Sequence, residues 1–181
     1  MLRFVFLGRL NKTKGLYLLL DALQSVKNAN WLLDIYGQTE DESYLQQCIT
    51  LANKMPGQVF FKKVLQPSDV PPVLLNYDVL LCPTIIEEMV GIVVMEAFAA
   101  GLPVIGSDSK GIAEQVRDGV DGFLFRAGSA SSLANLLQEI FKDPGLLSKL
   151  KKNIQTPKTF DVVAQQVYKE YLIVKKEPAF K

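Results

Sequence analysis

The chain has 181 residues, 49% of them apolar and 22% charged, with a formal net charge of +1. That length supports a substantial core in one domain, residues 1–181, and the near-neutral balance argues against nucleic acid as a partner. With no histidine present, a His-based catalytic triad or His zinc site within this chain is excluded.

Cys48 and Cys82 lie far apart with no metal-ligand spacing. They are expected to fill core volume in a reducing compartment, the cytoplasm. No signal-peptide pattern or low-complexity tract is visible, and Met1 leads straight into a strand.

Leu2 to Leu7 is a nearly continuous apolar run ending at Gly8, which predicts a strand buried on both faces. A helix follows from Gly15 to about Lys27, with Leu16, Leu19, Leu20 and Leu23 on one side. Trp31 to Gly37 reads as the second strand. Glu40-Asp41-Glu42 opens an amphipathic helix to about Asn53, its acids suited to a helix N-terminus. Val59 to Phe61 is the third strand, followed by a Pro-rich connection through Pro67, Pro71 and Pro72. Asp78 to Cys82 is the fourth, Pro103 to Gly106 the fifth and Gly122 to Phe125 the sixth. A short helix is expected around Ile112 to Arg117, then a turn over Asp118 to Gly122. Helices over Ser129–Phe141, Pro144–Asn153 and Phe160 to about Val174 complete the chain, the core covering about residues 2–142.

Strands alternating with helices imply right-handed crossovers and an α/β, doubly wound, mainly parallel six-stranded sheet. Ligands bind such sheets beyond the carboxyl ends of the strands, where the winding reverses. In the common strand order that point lies between strands one and four. The loop from Gly8 to Gly15 and the loop from Cys82 to Gly91 therefore converge on one crevice.

Between Met89 and Gly106 the only charged side chain is Glu96. Eighteen apolar residues would reach the length of a membrane span, but Gly91, Glu96 and the Gly101-Leu102-Pro103 break argue for a core helix and strand. A carboxylate in such a run should be largely buried, which is costly without a partner. Two readings are open: Glu96 caps a backbone amide or faces a lysine, or it pairs with Glu88 to line a ligand cleft.

The first loop carries Arg9 and Lys14 between glycines and ahead of a helix. It fits neither a Walker P-loop nor a dinucleotide fingerprint. It is either a solvated basic turn or a phosphate site, with Arg as a planar fork, Lys as a point charge and helix amides adding partial positive charge. Gly91 opposite would let a phosphate approach the backbone. No D-x-D or clustered acidic set is present to hold a metal, Glu40-Asp41-Glu42 reading as a helix-start run. A diphosphate would then be neutralised by Arg9, Lys14 and backbone amides, with no cofactor.

Taken together, Gly8-Arg9-Leu10 with Lys14-Gly15, the E-x7-E pair Glu88 and Glu96, the run Glu96 to Ile105 and Asp118-Gly119-Val120-Asp121-Gly122-Phe123 resemble the family-4 retaining glycosyltransferases of the GT-B fold. The likeness covers about residues 3–142, and the Phe160–Tyr171 helix resembles that family's closing helix. It implies a Rossmann-like domain forming one half of a GT-B fold. By resemblance, Arg9 and Lys14 hold the donor diphosphate, Glu96 the ribose hydroxyls, and Glu88 sits by the donor sugar. Gly8, Val64, Gly91, Ile92 and Val93 complete the implied nucleotide site. The family pattern departs at Met89-Val90, Lys63 and Lys110, which bears on the identity of the sugar.

The resemblance further implies metal-independent transfer of a hexose from a nucleoside diphosphate sugar, UDP favoured, to a saccharide or lipid-linked acceptor, at a site peripheral to the inner membrane face. Only the second GT-B domain is matched, so an N-terminal acceptor domain is expected elsewhere, in a longer chain or a partner. A non-catalytic nucleotide-sugar-binding module is the competing reading; a GT-B-fold epimerase or phosphorylase fragment is a third.

Overall fold

In the computed structural model, which describes residues 1–26, 30–55, 57–87 and 91–176, β1 (Leu2–Leu7) is the centre of a six-stranded sheet. The remaining strands are β2 (Trp31–Tyr36), β3 (Val59–Lys62), β4 (Val79–Cys82), β5 (Val104–Ser107) and β6 (Gly122–Phe125). All pairs are parallel and the order is β3-β2-β1-β4-β5-β6. The winding reverses between β1 and β4, as the alternation of elements predicts.

Side chains alternate across a strand, so β1 feeds two cores. Phe4 and Phe6 join Leu33, Ile35 and Leu81 on one face. There they pack against α1 (Leu16–Ser25), α2 (Glu42–Ala52), α6 (Ala130–Lys142) and α7 (Gly145–Asn153). Val5 points the other way, with Leu80 and Val104, against α3 (Val70–Leu74), α4 (Ile92–Ala99) and α5 (Lys110–Ala113). Phe4, Val5, Leu33 and Leu80 are fully buried, and burying a side chain of this size stabilises by about 1.5–3 kcal/mol.

The helix starts follow local chemistry. Asp41 caps α2, its Oδ1 accepting from Tyr44 N at 2.9 Å, and Ser129 caps α6 through Ser132 N at 3.2 Å. The Pro-rich connection contains α3, with Pro71 and Pro72 as its second and third residues. Proline is tolerated there because those amides lack intrahelical acceptors anyway.

Helix α1 ends at Ser25; Lys27, its expected end, lies outside the described residues. Helix α5 begins at Lys110 and is over by Ala113, earlier than the expected Ile112–Arg117, because Arg117 is drawn into the next turn. Its backbone N donates to Asp121 Oδ1 at 2.8 Å and its Nε to Oδ2 at 2.6 Å. The final helix, α8 (Phe160–Lys176), keeps every described side chain exposed. No described helix is long and apolar enough to cross a membrane.

Candidate functional site

The carboxyl ends of β1, β2 and β3 and the start of α4 surround a cleft of about 450 Å³. Eight of the nine residues expected around a nucleotide line it: Gly8, Arg9 and Lys14 from the first loop, Val64 beyond β3, and Gly91, Ile92, Val93 and Glu96 from α4. The ninth, Glu88, lies outside the described residues.

The basic loop is shaped by its own side chains. Asn11 accepts from Thr13 Oγ1 at 2.8 Å and Lys14 N at 3.2 Å, winding Lys12–Lys14 into a single 3-10 turn. Gly15 ends that turn in the left-handed region, at φ +72°, and caps α1. Ile85 N donates to Thr13 O at 2.8 Å, fastening the loop to the strand-four side of the cleft. On the opposite side Leu10 N donates to Gln38 O at 2.8 Å and Gly8 N to Tyr36 O at 3.1 Å. A Cβ on Gly37 would overlap the Gly8 carbonyl oxygen, so glycine there lets the two loops touch.

Gly91, the residue at the start of α4, has no side chain with which to cap it, and the first-turn amides of the helix lack helical acceptors. Gly91 is buried, and a Cβ on it would come 2.6 Å from Ile112 Cδ1. Its missing side chain thus admits α5 from behind, a packing reason that adds to the expected one. Glu96 lies one turn further along α4. It is half-buried rather than largely buried, because it faces the cleft and not the apolar core. Burial still raises its pKa above the ordinary carboxylate value. The neighbouring acid Glu87 is engaged elsewhere, its Oε2 accepting from Lys110 N at 3.0 Å.

Gln38, Leu65, Pro67 and Val70 also line the cleft and carry no motif. Gln38 follows β2 directly, so the strand-end rule could have flagged it. Under the β2–β3 side runs a buried polar network. Tyr77 Oη donates to Asp34 Oδ2 at 2.7 Å, Tyr36 Oη lies 2.9 Å from Tyr77 Oη, and Lys62 Nζ is 3.2 Å from Asp34 Oδ1. Burial above all raises the Tyr77 pKa, keeping it a proton donor. Among the described residues no group of three or more His, Cys, Asp or Glu is placed to hold a metal ion.

The fold is a doubly wound α/β domain with its cleft at the carboxyl ends of the strands. The sequence model of the glycosyl transferases group 1 matches residues 2–156, and the chain belongs to that family. It is 31% identical to a phosphatidyl-myo-inositol mannosyltransferase of Mycobacterium leprae over 92% of this chain and 45% of that protein. A glycogen synthase of Xanthomonas campestris is 29% identical over 93% and 36% respectively. Among solved structures, Anabaena HepE in complex with UDP superposes with a TM-score of 0.83 at 25% identity, over 93% of this chain and 48% of that one. The chain thus spans less than half the length of these relatives.

Proposed function

We propose that this chain is the donor-binding half of a retaining, metal-independent hexosyltransferase, with a UDP-sugar as donor and a saccharide or lipid-linked acceptor. The observation that carries this reading is the cleft where Arg9, Lys14 and Glu96 meet the start of α4 at Gly91. Arg9, Lys14 and the Ile92 and Val93 amides suit a diphosphate, whose leaving oxygen gains charge as the anomeric bond breaks. Glu96 accepts from the ribose hydroxyls, Gly8 and Gly91 let the ligand lie close to the backbone, and Val64 flanks the base. Glu88 contacts the donor sugar. The UDP held by HepE, a protein of the same architecture, supports uridine. The acceptor-binding half is a second domain, so the chain alone binds donor without transferring it. The test is calorimetric titration with UDP, GDP and ADP, with and without EDTA. UDP binding that survives EDTA supports the reading, and no binding by any of the three refutes it.

A further inference from the structure

Two adjoining hollows lie outside the cleft and share no residue with it. They measure about 440 and about 290 Å³, each near the size of a small-molecule site. Tyr17 and Gln47 line both, so the hollows meet at these two residues and form one elongated groove along α1 and α2. At the junction Tyr17 is 44% exposed. The backbone that carries it is held from behind: Tyr17 N donates to the Oη of buried Tyr44 at 2.9 Å. Burial raises the Tyr44 pKa, so that phenol stays neutral.

The remaining polar lining is suited to hydroxyl groups. Gln46 and Gln47 present exposed amides, each both donor and acceptor. Thr50 donates its proton to Gln46 O at 2.8 Å, which leaves its oxygen as an acceptor. The charges are few and opposed, Lys54 in one hollow and Lys12 with Asp21 in the other. The first-turn amide of α1 that could greet an anion, Tyr17 N–H, is already spent on Tyr44. A diphosphate or a polyanion is therefore poorly served. A rod-shaped, uncharged, polyhydroxylated ligand that can lay a ring face on an aromatic is well served.

We propose that this groove binds a linear, neutral oligosaccharide, with Tyr17 stacking on a sugar ring and Gln46, Gln47 and Thr50 meeting its hydroxyls. Lys12 and Ile85 bound the far hollow and belong to the same two loops that wall the cleft. One end of a bound chain would therefore lie beside those loops. The groove is independent of the donor reading, since no residue is shared.

The experiment is heteronuclear NMR titration of the 181-residue chain with maltoheptaose, cellohexaose and an α-1,6-linked mannohexaose, in parallel with UDP. At least one saccharide is expected to bind in the millimolar range and shift Tyr17, Gln47 and Thr50. Tyr17→Ala should weaken that binding roughly tenfold, and Tyr17→Phe should restore it, because the ring and not the hydroxyl carries the contact. Unchanged spectra elsewhere and an unchanged UDP titration show that Tyr17→Ala remains folded. No shift with any of the three at tens of millimolar, shifts confined to the Gly8–Glu96 cleft, or affinity indifferent to Tyr17→Ala would each overturn the proposal.

Discussion

Gly15 and Pro83 touch backbone to backbone: a Cβ on Gly15 would overlap the Pro83 carbonyl oxygen, and Gly15 already holds φ +72°. With the Ile85–Thr13 hydrogen bond, this contact locks the loop carrying Arg9 and Lys14 to the loop that leads into α4. Gly15→Ala should therefore lose roughly 1–3 kcal/mol from backbone strain, with the overlap adding to it, and should lose UDP affinity as well. Gly57 has a similar φ of +75° but open space around it. Gly57→Ala should lose stability alone, and urea unfolding with UDP titration of both variants separates the two effects.

Arg9 is exposed at the cleft mouth. A charge-assisted hydrogen bond contributes about 1.5–3 kcal/mol, so Arg9→Ala should weaken nucleoside diphosphate binding roughly tenfold to a hundredfold. Stability should change little. Calorimetry is the measurement, and an unaltered dissociation constant would remove Arg9 from the phosphate site.

Glu96 links pH to stability with a definite sign. Burial raises its pKa in the folded chain above the value of 4.5 for a free side chain. Between those two values the folded state holds a proton that the unfolded state has released. Stability from this group therefore falls as pH rises through that window and is level above it. Glu96→Gln carries no such loss. Its Tm should match or exceed the wild type at neutral pH, with the difference fading toward the acid end, while UDP affinity drops. A less stable variant with unchanged affinity would make Glu96 a structural acid.

Tyr77→Phe deletes one hydroxyl from the Asp34 network and leaves Lys62 as the remaining partner of that carboxylate. The expected loss is about 1–3 kcal/mol, the usual cost of stranding a buried acceptor. Because the network lies beneath the cleft and does not line it, UDP affinity should hold. Chemical denaturation and calorimetry on the same preparation test both halves of the statement.

Transfer itself requires an acceptor hydroxyl held close to the anomeric carbon in a closed site, since positioning supplies much of the rate. Residues 1–181 should bind donor, hydrolyse it slowly at most, and transfer sugar only when a second domain is supplied. Product formation from radiolabelled donor, with and without that domain, decides it.

The sheet and its order were legible because apolar runs such as Leu2–Leu7 and Val79–Cys82 are bounded by glycine or proline and separated by helical periods. The meeting of the Gly8–Gly15 loop with the start of α4 followed from that order. Helix α3 was hidden because Pro71 and Pro72 read as breakers, although a first helical turn accepts them. The Asp34–Tyr77 contact spans 43 residues, and no local pattern announces a partner at that distance. Glu96 was readable as a cleft residue, but not its half-exposure, which depends on which way α4 turns its side chains.

The strand order also sets how the chain must assemble. Strand β1 is fully paired on one edge once β2 has formed, but its other edge waits for β4, whose register begins with Phe4 opposite Val79. During synthesis, at about 5–20 residues per second, the β3-β2-β1 portion emerges with the other edge of β1 unpaired for about one to four seconds. Such an unpaired edge invites pairing with other nascent chains. Changes that delay closure of β4 and β5, Leu81 or Ile105 to alanine for example, should thus lower the yield of folded protein more than their equilibrium cost suggests.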